Sequence, residues 1–271
     1  MTGSTHPTRS RKRGGQVGVG ALIGMLLGGL LVGCGPSAGS EQLWDGEIST
    51  DTYMCHDLKI PVHALEQPTR ISDLDAELQT ALGAAVRDIN VPVKLDPFAE
   101  WIVVAQTDTR IDLLRALGPG ESYGSGSGVQ SRDHEQLSLT TEVGPGWSIR
   151  SYLTCALRVD LGELKPVDVW IDPDHLPQPG STEVSLLVID PSCGGKFDMP
   201  ERVRVVRLDT TDEEVEIILG VVGLPPGGYT CEGFPPTPIT LVLDQPLGDR
   251  TLIDASKVSK RALTPWGQFP G

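Results

Sequence analysis

The spacing of hydrophobic positions changes along the chain, and its clearest helical stretch lies at residues 72–89. Apolar side chains recur there at intervals of three and four, as on one face of a helix. They are Leu74, Leu78, Leu82, Ala85 and Ile89. Ser72 and Asp75 have the spacing of a capping-box start. The pattern therefore predicts one amphipathic helix with a buried face.

Strand-like patterns follow this helix. Residues 100–107 are apolar and β-branched, and an Asp108-Thr109 turn leads into residues 110–117. That second stretch is either a hairpin partner or a short helix. Further alternating segments lie at residues 135–143, 147–161 and 167–172. We therefore expect a helix packed against an antiparallel sheet.

The C-terminal region has a more uniform pattern. Five short segments alternate between apolar and polar residues, and turn-forming residues separate them. They are residues 183–190, 202–209, 214–223, 239–244 and 250–255. Strands at this spacing with no helix between them are typical of a small β-sandwich. The predicted fold class is mainly β, and α+β overall: a helix-plus-antiparallel-sheet module, then a β-sandwich-like module.

The first residues have a different character. A polar segment without acidic residues carries four basic ones and precedes the glycine-rich apolar run from Val17 to Gly33. The basic residues are Arg9, Arg11, Lys12 and Arg13. This is the layout of a secretory signal. An uncleaved membrane helix is the alternative, but the run is marginal in length, rich in helix-weakening glycine, and lacks a basic stop on its far side.

The end of this run carries a short motif. Leu31-Val32-Gly33-Cys34 resembles the lipobox of bacterial lipoproteins. The resemblance implies that residues 1–33 are removed and that the thiol of Cys34 receives a diacylglyceryl group. Two acyl chains make a lasting anchor, because each buried methylene contributes about 0.8 kcal/mol and a single chain binds only marginally. The expected location is the outer face of the cell membrane.

Charge narrows the choice of partners. The net charge is −14, from 22 basic and 36 acidic residues. Four of the basic residues precede Cys34, which leaves 18 against 36 and a net charge of −18 for the mature part. Anionic lipid and nucleic acid both repel such a body. We expect no nucleic-acid partner, and membrane attachment through the lipid alone.

The cysteine count agrees with lipidation. Five cysteines is an odd number for an exported protein. If Cys34 is acylated, four remain for two disulfides: Cys55, Cys155, Cys193 and Cys231. No CxxC pair supports a zinc site. Three connectivities are possible; we favour Cys55 with Cys155 and Cys193 with Cys231, because each bridge then stays inside one module, in an oxidising compartment.

Residues 172–182 contain three prolines and a glycine between two strand-like regions, and we interpret them as a linker. The predicted organisation has six parts. They are a signal peptide (1–33), a flexible tether (34–50), an α+β module (51–171), the linker (172–182), a β-sandwich-like module (183–258) and a tail (259–271).

A second resemblance concerns residues 95–257. The segments "WSIRSYLTC", "VWIDP", "DPSCGG" and above all "LDQPLGDRTLIDAS" resemble a set of uncharacterised exported proteins and lipoproteins of high-GC Gram-positive bacteria. These motifs are typical of strand ends and turns. The resemblance implies a bacterial lineage for the protein, but it implies no catalytic reaction.

Catalytic templates fit poorly. Gly120–Gly124 matches G-x-S-x-G, but the required strand before it and helix after it are missing, so we predict a surface loop. Four histidines remain after the signal, and none has a paired-ligand spacing. They are His56, His63, His134 and His175.

An acidic cluster in "WIDPDH" is the strongest candidate for a cation site. Asp172, Asp174 and His175 lie at one strand end, where their side chains offer ligands for calcium. Asp-Pro-Asp is also a common turn sequence, which is the interpretation we favour. We expect no metal and no cofactor.

The five tryptophans fall into two groups, three inside predicted strands and two outside them. Trp101, Trp147 and Trp170 lie in predicted strands, so we expect them in a core. Trp44 and Trp266 lie outside the predicted strands and either anchor a terminus or contact a partner.

The sequence therefore predicts a lipid-anchored extracytoplasmic protein without catalytic activity, which binds an envelope protein or a cell-wall component. One rival is an envelope-acting hydrolase with a carboxylate acid and base, since such pairs have no sequence signature. A structural spacer is the other. Two buried carboxylates about 5 to 9 Å apart in a deep cleft would favour the hydrolase.

The anchor is testable by intact mass. The membrane-extracted protein should lack residues 1–33 and carry the added mass of the lipid, whereas Cys34→Ala should lose membrane retention. Detection of residues 1–33 on the mature protein, or equal retention of the variant, would contradict the lipobox prediction.

Overall fold

The computed structural model describes residues 44–87, 97–118, 132–191, 199–225, 227 and 236–268, together with the backbone of residues 37–38. This part of the chain is mainly β with a small helical content, which confirms the predicted fold class. Residues 36–271 belong to one compact unit.

The strands and helices are numbered in chain order. The strands are β1 (Ser37–Ala38), β2 (Ser49–Cys55), β3 (Leu58–Pro61), β4 (Thr69–Arg70), β5 (Ile102–Gln106), β6 (Arg110–Ala116), β7 (His134–Thr140), β8 (Ser148–Cys155), β9 (Arg158–Asp160), β10 (Leu164–Pro166), β11 (Asp168–Ile171), β12 (Glu183–Ile189), β13 (Val203–Thr210), β14 (Glu214–Val222), β15 (Thr237–Val242), β16 (Thr251–Asp254) and β17 (Arg261–Ala262). The helices are α1 (Val62–Glu66), α2 (Ala76–Arg87) and α3 (Met199–Arg202).

The first sheet carries the predicted helix. Strands β4 to β8 form a five-stranded antiparallel meander, so residues 110–117 contribute a strand and not a helix. Helix α2 packs on one face of it and buries Leu82 against Trp101 and the strand side chains. The helix begins one turn later than predicted. Asp75 is the cap, accepting from the Leu78 amide at 2.8 Å, and Ser72 lies in a preceding 3₁₀ turn.

The opposite face of this meander is covered by a small sheet that the sequence pattern did not predict. Strands β2 and β3 form a hairpin, and β9 pairs with β2. Cys55, Ile60 and Leu157 pack there against Val104 and Leu114 of the meander. Both faces of the meander are therefore buried, which explains why β6 and β7 have long runs of buried residues.

Two further sheets form the predicted sandwich. One has the order β1-β15-β12-β11. In the other, β13 borders one side of β14, and β10 and β16 border its other side, with β17 beyond β16. Alternate valines, leucines and isoleucines from both sheets share one core. Pairing is antiparallel except for β1 with β15 and β14 with β16, which are parallel.

Strand pairing does not follow the predicted module boundaries. Strands β10 and β11 come from the first predicted module but pair with β14 and β12 of the second. Residues 172–182 join β11 to its antiparallel neighbour β12, so they form a hairpin connection and not a linker. The backbone amides of Leu243 and Leu247 donate to the Thr182 and Ser181 carbonyls and hold this connection against the sandwich.

The predicted tether and tail are partly ordered as well. Trp44 donates its amide to the Val205 carbonyl at 3.1 Å, and β2 begins at Ser49. At the other end, β17 pairs with β16. Residues 44–50 and 261–262 thus belong to the folded body. Among the described residues, no helix is long and apolar enough to cross a membrane.

The Cys55–Cys155 disulfide joins residues 100 positions apart. In the chain-entropy model a bridge of this span stabilises the folded state by about 4 to 5 kcal/mol. The double variant Cys55→Ala/Cys155→Ala should therefore lose about 2 to 5 kcal/mol of unfolding free energy, measured by urea denaturation.

Wild type unfolded in a reducing buffer serves as the control, because it should approach the double variant in stability. If the variant and the oxidised wild type share one urea midpoint, the bridge does not stabilise the fold.

Candidate ligand-binding cleft

A cavity of about 360 Å³ lies where the β2–β3 hairpin meets the chain from Cys155 to Asp168. Its lining includes apolar side chains from both segments. They are Met54, Val159, Leu161, Leu164 and Pro166. Charged side chains occupy the remaining wall. A volume of this size and a mixed lining are typical of small-molecule sites.

Glycine shapes one wall of the cleft. Gly162 has a φ of 65°, a conformation that favours glycine, and its amide donates to Asp160 Oδ1 at 3.0 Å. The turn that follows packs against Gly220 of β14. A Cβ there would lie 3.0 Å from side-chain atoms of Leu164, so any larger residue would require the Leu164 side chain to shift.

His56 lies at the tip of the β2–β3 hairpin. It is the one non-glycine residue with positive φ (53°) in the described part of the chain. Its Nε2 lies 2.9 Å from the Thr154 carbonyl oxygen. Since a carbonyl only accepts, Nε2 donates this bond, which fastens the hairpin tip beside the disulfide. Strained backbone of this kind is concentrated at binding sites.

Two carboxylates in the cleft wall are engaged by cations. Asp160 is 4% exposed and accepts from Lys59 Nζ at 2.9 Å. Asp168 accepts from Arg158, whose Nη1 also donates to the Val167 carbonyl at 2.7 Å. These ion pairs hold the two carboxylates in place in the cleft wall.

A buried charged cluster lies behind Arg158 and Asp168. It also contains Asp254, Lys257 and Arg261, and thus has three cations and two carboxylates. Arg261 Nε lies 4.0 Å from Asp254 Oδ2. The cluster carries a surplus positive charge inside an acidic protein.

Lys257 is the most perturbed group of this cluster. It is 3% exposed, and its Nζ has no hydrogen-bond partner among the described residues. Burial lowers the pKa of Lys257 to about 8; the charges of Arg158 and Arg261 act in the same direction and outweigh the attraction of Asp254 and of Asp168. Burial also lowers the pKa of Arg261, against the opposing effect of Asp254.

Arg132 and Lys165 are the other two cations of the wall, and Arg132 contacts a neutral side chain. Its Nη1 donates to Thr154 Oγ1 at 2.9 Å. No carboxylate within the described ranges pairs with it. Lys165, by contrast, lies 3.9 Å from Asp57 Oδ1.

The described residues include one of the two predicted disulfides. Cys55 and Cys155 form the favoured disulfide, which is confirmed, and Cys155 lines the cleft. Cys34, Cys193 and Cys231 lie outside the described residues, as does Gly120–Gly124. Lipidation and the second bridge remain predictions.

The other histidines lie away from the cleft lining. His63 is in α1. His134 Nδ1 lies 2.8 Å from Asp133 Oδ1. Burial raises the pKa of Asp133, but the hydrogen bond and charge of His134 outweigh that effect, and the net shift is downward.

The "WIDPDH" segment forms the turn favoured by its sequence. Asp172 accepts from the Asp174 amide at 3.0 Å and lies 2.9 Å from His175 Nδ1. Within the described ranges, no three His, Cys, Asp or Glu side chains are grouped to hold a metal ion.

The tryptophans have structural contacts. Trp101 and Trp170 are buried in cores, and Trp147 packs beside α2. Trp266 contacts Trp170 edge to face at 4.6 Å, and Trp44 packs against the outer face of β14. The two terminal tryptophans therefore anchor chain ends.

Sequence reasoning found Cys155 and considered His56, but it missed the cations in and behind the cleft wall. Arg132, Arg158 and Lys257 are distant along the chain and match no motif. The one signal in the sequence was a cation inside a strand pattern: Arg158 interrupts the apolar segment that ends at Leu161. Compared with known proteins, the chain has no significant match to a family model, a curated protein or a solved structure.

The buried lysine makes stability depend on pH. Between about pH 8 and 10.5 the unfolded state holds a proton on Lys257 that the folded state has released. Because the unfolded state binds more protons there, this group makes the protein more stable as pH rises. Lys257→Met should therefore be stabilising at pH 7 relative to wild type, by at most about 3 kcal/mol, with the difference shrinking toward pH 10.

Chemical denaturation of both proteins at several pH values measures this difference. Lys260→Met is the matched control: it makes the same substitution at a lysine that is 52% exposed and pairs with Glu216, so the stabilisation expected at pH 7 for Lys257→Met should be absent. A pH-independent difference for Lys257→Met would contradict a depressed lysine pKa.

Proposed function

We propose that this chain is a lipoprotein held at the outer face of the cell membrane through Cys34, and that its folded body binds a small ligand in the cleft without chemically changing it. The cavity of about 360 Å³ between the β2–β3 hairpin and residues 155–168 carries this proposal. Its volume lies within the range of small-molecule sites. An extracytoplasmic position makes a component of the cell envelope the expected ligand.

The construction of the cleft supports binding. Its walls are fixed by covalent and close-packed features: the Cys55–Cys155 bridge, the Gly162 turn and its approach to Gly220, and the His56 bond to Thr154. Preformed walls lower the ordering entropy that a ligand must overcome. Such a site is suited to hold a ligand in one orientation.

The rival hydrolase is less well supported. A hydrolase of this kind uses one carboxylate as acid and another as base or nucleophile at the substrate. In the cleft, Asp160 and Asp168 already pair with Lys59 and Arg158. Their ion pairs hold the wall in place.

The spacer hypothesis requires no cavity. A spacer would be expected to expose a continuous outer surface, since nothing selects for a recess. The strained tip at His56 and the buried charges behind the cleft both lower stability without serving a spacing role. They favour a binding function.

A dye and a blocking variant test the proposal. N-phenyl-1-naphthylamine is neutral and becomes fluorescent in apolar sites. It should bind wild type with saturable fluorescence. Ala156 lines the cavity and is half-buried, so the phenyl ring of Ala156→Phe should occupy the site and reduce binding at least about tenfold, a difference of 1.4 kcal/mol.

Ala116→Phe is the matched control, because it adds the same ring at an exposed position on β6. It should bind the dye as wild type does. Circular dichroism and urea midpoints must agree among the three proteins, since loosely packed states also take up such dyes. Absence of saturable binding to wild type, or equal binding by Ala156→Phe, would refute a ligand site in this cleft.

A further inference from the structure

We infer that the cleft selects a small organic anion, with Arg132 as the side chain that binds the acidic group; this inference rests on the proposed function and defines the ligand class. The ligand consists of an apolar body that fills the cavity and one acidic group directed toward Arg132. The chain as a whole is acidic, so the preference comes from the local arrangement of charges.

The ion pairs of the wall single out Arg132. The wall contains three cations and three carboxylates. Asp160 has its partner outside the wall, in Lys59. Arg158 forms an ion pair with Asp168, and Lys165 Nζ lies 3.9 Å from Asp57 Oδ1. Among the described residues, the side-chain partner of Arg132 is neutral: Thr154 Oγ1, at 2.9 Å.

Asp133, the carboxylate next to Arg132 in sequence, already has hydrogen-bond partners. Asp133 contacts His134 at 2.8 Å and accepts from the Leu157 amide at 3.3 Å. The backbone of Asp133 is fixed at both sides, since its amide donates to the Cys155 carbonyl and its carbonyl accepts from the Leu117 amide. Arg132 is thus held at the cleft by an ordered backbone, while its guanidinium has donors that bond to no residue in the described part of the chain.

The buried cluster adds to the attraction. Arg158 and Asp168 belong to the wall, and Lys257, Arg261 and Asp254 lie behind it, so the five groups together carry one surplus positive charge. Solvent screens charges weakly in such a buried position, so the surplus is felt across the cleft. Together with Arg132 it makes the cleft locally positive.

The apolar wall specifies the other half of the ligand. Met54, Val159 and Leu164 offer no strong hydrogen bonds and exclude ligands that are polar on all sides. A guanidinium binds carboxylate, sulfonate and phosphate through paired N–H donors. The shared feature of these ligands is an anionic group on an apolar body.

A matched pair of dyes tests this selectivity. N-phenyl-1-naphthylamine and its 8-sulfonate share one ring system and differ in one permanent negative charge. Titration of wild type with each should give a dissociation constant at least about tenfold lower for the sulfonate. The preference should weaken as salt is raised, because part of it is electrostatic.

Arg132→Gln should remove the preference. It should weaken binding of the sulfonate and leave the dissociation constant of the neutral dye within about twofold of the wild-type value. Arg132→Lys, which keeps the charge and loses the planar donors, should retain part of it. Arg150→Gln is the control: its side chain is 53% exposed and its only described ion pair is a 3.7 Å contact with Glu142. That variant should keep the full preference.

The outcomes separate the two claims. If neither dye binds wild type, the proposed ligand site fails. If the neutral dye binds and Ala156→Phe blocks it, but the sulfonate binds no tighter or Arg132→Gln leaves its preference intact, the site stands and the anion inference is overturned. Loss of both dyes in Arg132→Gln with unchanged circular dichroism would also overturn it, because Arg132 would then shape the cavity.

Discussion

The Cys55–Cys155 disulfide is the constraint on which the arrangement around the cleft depends. It joins the end of β2 to the end of β8, and so fastens the small sheet to the helix-bearing meander. Both cysteines are buried in the core between those two sheets. Directly after Cys155 the chain forms β9, β10 and β11, each of which pairs with a different sheet. The bridge therefore fixes the point from which the cleft wall extends.

Electrostatics is the second organising factor. The chain has a net charge of −14, yet several cations lie in or behind one recess. Burying Lys257 without a hydrogen bond opposes folding, and the surrounding fold must compensate for that loss. Natural proteins tolerate such groups where they serve a site. The position of the cluster behind Arg158 is consistent with that role.

Much of the fold was accessible from the sequence because the strands are short, alternate regularly and end at turn residues. The helix at 76–87 and the strands from β5 to β16 follow the hydrophobic pattern within a few residues, except β10, which lies between two predicted segments. The β2–β3 hairpin was missed because its turn residues are His56 and Asp57, without the glycine or asparagine that normally marks a two-residue turn. The 172–182 segment was misjudged because proline and glycine end a strand equally well before a linker and before a hairpin connection.

The candidate site was far less accessible. The cysteine count left three connectivities open, and Cys55 was paired with Cys155 because each bridge then stays inside one predicted module. Arg132 and Lys257 acquire meaning only from neighbours contributed by distant strands, and one-dimensional patterns do not encode such distances. The ion pairs of Asp160 and Asp168 could not be predicted either, because the partners of an ion pair have no fixed spacing along a chain.

The parallel pairing of β14 with β16 has a consequence for folding. After β14 the chain leaves its sheet, adds β15 to the facing sheet, and only then returns as β16. Earlier, β10 and β11 had already entered the two sheets in turn. Neither sheet is therefore built from one continuous stretch of chain, and most of the described pairings join residues far apart in sequence, which slows folding. The sandwich should form in one cooperative step, and the wall from Arg158 to Asp168, which supplies strands to both sheets, is completed only in that step.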